Sequence, residues 1–186
     1  CGGMKTLTAL AEAFEGVRFL PCGGVDNKNL ADYVDAPFVQ AVGGSWLCPA
    51  DDVAAHNFAA VTERCKAARA IVLGFTLGHI GVNAESVEES LALCQTFRAA
   101  FGFDIWEMPA SFFASSGVEV MKHSAVGTNG HIAILTNSVR RAEAELEKKG
   151  FALDLSTEKC IGGEPIAVYF QNMLGGFAVH LLKKGA

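Results

Sequence analysis

The sequence has few of the features that suit binding to a nucleic acid or a membrane. Its 186 residues include 15 Lys and Arg against 20 Asp and Glu, which gives a net charge of −5 and no basic patch. Although 51% of the residues are hydrophobic, no uninterrupted apolar run reaches the roughly 18 residues of a membrane span. No signal-peptide pattern precedes the first helix-like segment. These absences predict a cytoplasmic protein with small-molecule partners, and neither nucleic-acid nor membrane binding.

Closely paired cysteines are also lacking. The six cysteines lie far apart with no CxxC pair, so we expect reduced thiols rather than a disulfide framework. The first residue is Cys1 and not Met. We therefore expect that an N-terminal part is missing, although an expression artefact would look the same.

The first 70 residues alternate short apolar runs with helix-like segments. Such alternation is typical of parallel βα units. Two of the apolar runs end in glycine pairs, Gly23–Gly24 and Gly43–Gly44. The predicted order is helix 4–14, strand 17–20, helix 26–34 capped by Asp26 or Asn27, strand 38–42 and helix 50–70.

The chain from residue 73 onwards repeats itself. The tripeptide GHI at 78–80 recurs at 130–132, and the dipeptide SV at 86–87 recurs at 138–139, both with an offset of 52. Each copy predicts a strand, a helix and a closing strand. We interpret the copies as two βαβββ modules that pack together, because neither could bury its sheet alone. The predicted helices are 87–101, with a Ser86–Glu89 capping box, and 139–149, ended by Gly150; the closing strands are 118–122 and 179–183.

The glycine pairs of the first half allow two interpretations. Without a Cβ, backbone N–H groups can approach an anion closely, and in a barrel such turns often hold phosphate. Alternatively, the glycines simply permit tight turns between strand and helix.

The residues around these turns resemble a known family. The strings RFLPCGGV at 18–25, NLADY at 29–33 and AVGGSWL at 41–47, followed by PAD at 49–51, are similar to the end of keto-deoxy-phosphogluconate / keto-hydroxyglutarate aldolases. The resemblance covers residues 1–70 and implies the last βα units of a (β/α)₈ barrel, which is usually a trimer. It implies a class I aldehyde-lyase that cleaves 2-keto-3-deoxy-6-phosphogluconate or 4-hydroxy-2-oxoglutarate to pyruvate and an aldehyde, without a cofactor. By this resemblance the substrate phosphate is bound by Gly23, Gly24, Gly43, Gly44 and Ser45.

Two departures from that family affect the expected activity. Cys22 stands where the family usually has Thr, and the Schiff-base lysine and catalytic glutamate of the family would precede Cys1. Lys5 lies in the opening helix and does not match the family's strand lysine. A lysine nucleophile needs a buried pocket that lowers its pKa. We therefore expect no catalytic aldolase residue in this chain and no aldol cleavage by the chain alone.

Four residues of the second half occupy equivalent places in the two modules. His79 and His131 lie on the first strands, and Glu119 and His180 lie on the closing strands. If the modules pair about a pseudo-twofold axis, all four converge inside one cupped sheet. Imidazole and carboxylate ligands suit Zn²⁺, Mn²⁺, Fe²⁺ or Ni²⁺. The alternative is that each histidine is a hydrogen-bonded core residue.

This half, residues 73–186, resembles the vicinal-oxygen-chelate superfamily, which includes glyoxalase I, extradiol dioxygenases and methylmalonyl-CoA epimerase. That resemblance implies metal ligands at His79, Glu119 and His131, while His180 stands where Glu is common. Three hypotheses follow. The parent protein is a phosphorylated-keto-acid lyase with an accessory domain; or the second domain is itself a metal-dependent glyoxalase-, dioxygenase- or epimerase-type enzyme; or that domain is a metal-free module that binds a small ligand.

Overall fold

The computed structural model describes residues 2–185 and divides the chain into two compact units, Cys1–Gly74 and Phe75–Ala186. Within the described residues, every helix is too short or too polar to cross a membrane. Cysteines 22, 48, 65, 94 and 160 are free, whereas Cys1 lies outside the described residues. The domain limits 1–70 and 73–186 remain our proposal for the two functional pieces.

The first unit consists of helices around one parallel bridge. Phe19 pairs with Val39, so the predicted parallel order is confirmed, but the two strands are shorter than predicted. The hydrogen bonds run from Phe19 N to Phe38 O and from Gln40 N to Phe19 O. Pro21 has no N–H to extend the ladder. The elements are α1 (Gly3–Ala13), α2 (Leu30–Asp35), a 3₁₀ turn (Ser45–Leu47), α3 (Ala50–Ala54) and α4 (Phe58–Leu73).

Two predicted helices of this unit need correction. The single helix predicted over 50–70 is broken, because His56 adopts a positive φ of 54° and the Asn57 side chain caps α4 by accepting from Ala60 N. The helix predicted from Asp26 begins only at Leu30. The carboxylate of Asp26 accepts from the N–H of Lys28, so a turn bonded by its own side chain occupies these positions.

The second unit is an eight-stranded sheet made of two βαβββ modules, as predicted. The strand order is β2-β3-β4-β1-β5-β8-β7-β6, so the modules join where β1 runs antiparallel to β5. Within each module the first and closing strands are parallel. The first module contains β1 (Thr76–Asn83), α5 (Val87–Phe101), β2 (Ile105–Glu107), β3 (Ser111–Ala114) and β4 (Val118–Met121); the second contains β5 (His131–Thr136), α6 (Val139–Lys148), β6 (Leu153–Ile161), β7 (Glu164–Phe170) and β8 (Ala178–Lys183).

The two faces of this sheet differ in chemistry. On one face Val120, Val168 and Leu181 are almost fully buried, and the strands that carry them contact α5 or α6. Side chains alternate between faces along a strand, so Glu119 and His180 lie on the opposite face, which we call the histidine face. The helices therefore supply the apolar core, and the histidine face carries the polar groups.

The predicted cap at Ser86 and the predicted Gly150 end of α6 are present, and Ser138 adds a cap that was not predicted. The Ser86 side chain accepts from Glu89 N, and the Glu89 carboxylate accepts from Glu85 N. The Ser138 side chain caps α6 in the same way, by accepting from Arg141 N. Gly150 follows α6 with a φ of 83°. These bonds satisfy N–H groups that a helix start leaves without a partner.

Candidate functional site

The strand register brings the predicted metal-ligand residues together on the histidine face. Gly81 of β1 lies between Glu119 of β4 and His131 of β5. In the neighbouring row, Ala133 lies between His79 of β1 and His180 of β8. The three histidines are buried, and one ring nitrogen from each lies within 4.8 Å of the other two.

Three of the polar atoms form a nearly equilateral triangle. The Nε2 atoms of His79 and His131 are 3.2 Å apart, and each is 3.0 Å from Oε2 of Glu119. Protons cannot satisfy all three contacts, because a neutral imidazole carries only one N–H. If both Nε2 atoms donate to Glu119, they face each other as two donors. If only one donates, the other presents a lone pair to the carboxylate.

A divalent cation fits this set of donors. Metal–nitrogen and metal–oxygen bonds of about 2.1 Å place neighbouring octahedral ligand atoms about 3.0 Å apart, which matches the three sides of the triangle. His180 is 7% exposed, and both its ring nitrogens are buried without a hydrogen-bond partner. Buried polar atoms usually have partners. The site therefore offers three converging lone pairs and a fourth residue with an unused nitrogen.

The electrostatics keep these donors in the forms that a metal needs. Burial alone would raise the pKa of Glu119, but hydrogen bonds from His131, His79 and Ser111 outweigh burial and hold that pKa well below its ordinary value. Burial and the two neighbouring histidines lower the pKa of His180 to about 4. At neutral pH, Glu119 is therefore a carboxylate and His180 a neutral imidazole.

Neighbouring residues fix the positions of the donors. The Ser111 hydroxyl donates to Oε1 of Glu119 at 2.5 Å, which leaves Oε2 for the two histidines. Gly81 leaves space for His131, because a Cβ at that position would overlap the imidazole ring. Nδ1 of His131 is buried without a partner. A second hydrogen bond commonly orients a ligating histidine, whereas the position of the His131 ring depends on the space that Gly81 leaves.

The predicted phosphate-binding glycines lie on two adjacent turns of the first unit. The bridge between Phe19 and Val39 precedes both turns, and the N–H of Gly43 donates to Pro21 O at 3.0 Å. A Cβ on Gly43 would lie 3.0 Å from the Sγ of Cys22. The turns at 23–24 and 43–45 therefore pack against each other.

A cavity of about 490 Å³ opens beside the first of these turns. Gly23 has open space at the Cβ position, whereas a Cβ on Gly44 would overlap the Trp46 ring. The Trp46 indole N–H donates to the side chain of Asn27, which fixes the ring beside the second turn. The cavity is lined by Gly3, Leu7, Pro21, Cys22, Gly23, Gly24 and Tyr33, but not by Gly43, Gly44 or Ser45. Lys5 lies exposed on α1.

The sequence did not reveal several residues around the histidines. Tyr169 stacks on His180, Phe113 contacts the edge of His79, and Ser111 binds Glu119. Phe113 and Ser111 lie an even number of residues apart on β3 and so share a face, which period-two alternation would have indicated. The role of Gly81 depends on cross-strand register, and no local pattern in the sequence indicates it.

The first unit is similar in sequence to known aldolases. Residues 1–64 match the family described as "Aldolase: KDPG and KHG aldolase". The 2-dehydro-3-deoxy-phosphogluconate aldolase of Treponema pallidum is 49% identical over 61 residues, which is 33% of this chain and 29% of that protein. The KHG/KDPG aldolase of Escherichia coli is 43% identical over 67 residues, 36% of this chain and 32% of that protein. The chain spans about a third of the length of these relatives.

Solved structures similar to the second unit include methylmalonyl-CoA epimerases. The similarity to the Streptomyces coelicolor enzyme covers 59% of this chain and 97% of that enzyme's chain, with 16% identity and a TM-score of 0.43. The similarity to the Mycobacterium tuberculosis enzyme covers 62% of this chain and 91% of that enzyme's chain, with 12% identity and a TM-score of 0.46. The fold of the second unit is assigned from its own strand order and module repeat. Residues 1–64 are thus similar to the KDPG and KHG aldolase family, and the second unit is a sheet of two paired βαβββ modules.

Proposed function

We propose that the second unit holds a divalent metal ion, and that a small ligand binds there through an oxygen atom. His79, Glu119 and His131 would hold the metal, and His180 would be the fourth ligand or would face the bound ligand. The observation that supports this proposal is the triangle of atoms at 3.0, 3.0 and 3.2 Å, which no arrangement of protons satisfies. The donor set suits Zn²⁺, Mn²⁺, Fe²⁺ or Ni²⁺.

The metal and the residues around it would each have a separate role in the reaction. A bound cation supplies an electrophile that polarises an oxygen of the ligand. Ser111 holds the Glu119 carboxylate in place through Oε1. Neutral His180, with two unpartnered nitrogens, can accept a proton from the ligand or return one to it. This arrangement suits a glyoxalase-, dioxygenase- or epimerase-type enzyme.

Metal analysis of the full chain tests this proposal. After incubation with each of the four metals and desalting, the parent chain should retain one equivalent. The double variant His79→Ala/His131→Ala should lose it, because two of the three converging donors are gone. The double variant His56→Ala/His123→Ala is the matched control and should retain the metal. Equal retention in all three chains would show that the metal binds without His79 and His131 and would contradict the proposal. No retention in any chain would leave the second unit as a metal-free module that binds a small ligand.

A second function is favoured by the cavity in the first unit. We propose that the turns at 23–24 and 43–45 bind the phosphate of a phosphorylated keto acid, and that a larger aldolase protein carries out the cleavage. The support is that the two glycine turns pack against each other and that the first of them lines the cavity of about 490 Å³. Backbone N–H groups at such turns can approach an anion closely.

Phosphate binding tests this second proposal. Inorganic phosphate should bind the parent chain in a calorimetric titration, and Gly23→Asp should abolish binding through charge repulsion. Gly23 has open space and an ordinary φ, so the substitution should leave the fold intact. Gly117→Asp is the matched control, because Gly117 also has open space but lies in the second unit. Equal phosphate affinity in the two variants would contradict the proposal.

A further inference from the structure

Five rings, each in contact with the next, form a row across the histidine face. The Tyr169 ring stacks on His180 with centroids 4.8 Å apart, and His180 lies 5.8 Å from His79. The Phe113 ring meets His79 edge-on at 5.4 Å. Trp106 stacks on Phe113 at 5.4 Å with an interplanar angle of 3°. The candidate metal ligands therefore lie between Tyr169 on one side and the Phe113–Trp106 pair on the other.

The Trp106 end of this row of rings is accessible to solvent. Trp106 belongs to the edge strand β2 and is 40% exposed, and its ring rests flat on Phe113. Aromatic rings bury large areas and pair favourably with other rings in stacked or edge-on geometry. A planar group that extends from the histidines towards β2 would find aromatic surface along its length.

Apart from the proposed metal ion, positive charge is scarce on the same face. Among the strand residues that the structure describes there, Lys159 is the only cation, and it lies on β6 at the other end of the sheet. Lys122 follows β4, but its Nζ donates to Glu107 Oε1 at 2.6 Å and to Met108 O at 2.8 Å. A phosphate group that does not coordinate the metal itself normally needs Arg, Lys or several backbone N–H donors. The rings therefore favour an aromatic ligand, and the charges disfavour a phosphorylated one.

We infer that the ligand of the second unit is a small, unphosphorylated aromatic compound with an oxygen donor. Its oxygen lies at the histidines, and its ring lies along Phe113 and Trp106. This inference rests on the metal site proposed above and adds the chemical class of the ligand. The ligand of the second unit is therefore a different compound from the phosphorylated keto acid proposed for the first unit.

Two 2-oxo acids that share one head group test the inference. Benzoylformate carries a phenyl ring where pyruvate carries a methyl group. In calorimetric titrations of the zinc-loaded full chain, benzoylformate should bind about tenfold more tightly than pyruvate, because the ring gains stacking and apolar contact. Trp106→Ala should remove most of this preference, while the zinc content of the chain stays at one equivalent. Trp46→Phe is the matched control and should keep the preference.

Fluorescence locates the ring independently of affinity. In the Trp46→Phe chain, Trp106 is the only tryptophan, since the sequence contains two. Benzoylformate should quench its emission and pyruvate should not. An equimolar amount of phosphoglycolate should fail to displace benzoylformate.

The outcomes distinguish this inference from the proposal beneath it. A parent chain that retains no zinc would overturn both the metal site and the aromatic ligand. Zinc retention with equal affinities for the two acids would overturn only the inference. Displacement by phosphoglycolate, or a preference that survives Trp106→Ala, would likewise overturn the inference alone.

Discussion

At the scale of single residues, Gly81 determines where the His131 ring can lie. The backbone of Gly81 has an ordinary φ, so Gly81→Ala should fold, but its Cβ would overlap the imidazole. The ring must then move away from Glu119 and His79. We expect zinc affinity to fall about 10- to 100-fold, as it does when a neighbour that orients a metal ligand is lost. Competition titration with a chelator measures this change.

The control for this substitution is Gly117→Ala, which adds a Cβ in open space. It should leave zinc affinity and the melting temperature unchanged. A Gly81→Ala chain with the parent's zinc affinity would show that His131 does not bind the metal in the position described.

Another residue-scale effect concerns Glu143 on α6. Burial and the neighbouring Glu158 carboxylate raise the pKa of Glu143, and its Oε1 is buried without a partner. A raised pKa means that ionisation costs more in the folded state, so this group lowers stability as the pH rises above about 4.5. Glu143→Gln should therefore raise the melting temperature at pH 7. The gain should be below about 1 kcal/mol, since solvent screens the repulsion.

The pH dependence identifies the cause. The gain from Glu143→Gln should shrink as the pH falls towards 4, where Glu143 is protonated in folded and unfolded chains alike. The exposed Glu147→Gln, one helical turn further on, is the matched control and should show no such dependence. A gain of equal size at pH 4 and pH 7 would contradict the electrostatic explanation.

At the scale of elements, Lys122 ties the β2–β3 hairpin to β4. Its Nζ donates to Glu107 Oε1, to Met108 O and, at 3.5 Å, to Pro109 O. Lys122→Met keeps most of the apolar stem but leaves the carbonyls of Met108 and Pro109 without this donor. We expect a loss of about 1–3 kcal/mol in the unfolding free energy of the second unit. Hydrogen exchange of residues 105–114 should also speed up, because this hairpin loses its anchor.

Glu107→Gln distinguishes the contribution of the Lys122–Glu107 ion pair from that of the hydrogen bonds between Lys122 and the backbone carbonyls. The Glu107 side chain is 65% exposed, so the ion pair itself should contribute little. The variant should therefore lose well under 1 kcal/mol and keep slow exchange in the hairpin. Equal losses in Lys122→Met and Glu107→Gln would assign the stabilisation to the ion pair and not to the carbonyls.

The elements that were predictable from the sequence are those whose ends are set locally. The helix α5 begins after Ser86, whose side chain caps it, and ends before Gly102 with a φ of 72°. The break between α3 and α4 was not predictable from apolar spacing, because it depends on the backbone of His56 and on the contact of Asn57 with Asp52. Likewise, the module repeat indicated the four candidate ligands, but their distances follow from strand register.

At the scale of the whole molecule, the two units differ in how much apolar side chain they bury. Among the described residues of the first unit, the buried apolar residues are Val25, Leu30, Tyr33, Ala68 and Leu73. The second unit has a larger core under α5 and α6, and an eight-stranded sheet in which β1 and β5 are paired on both edges. Since buried apolar area is the main source of folding stability, the second unit should unfold at the higher temperature.

Calorimetry of the full chain tests this difference together with the metal site. We expect two transitions, of which zinc raises only the upper one, because a ligand stabilises the unit that binds it. At a zinc concentration 100 times its dissociation constant the gain is about 2.7 kcal/mol, which corresponds to an upward shift of more than about 5 °C for a unit of this size. The His79→Ala/His131→Ala chain should show the same two transitions without the shift. A zinc-dependent rise in the lower transition would place the metal in the aldolase-type unit, and a single transition would show that the two units unfold together.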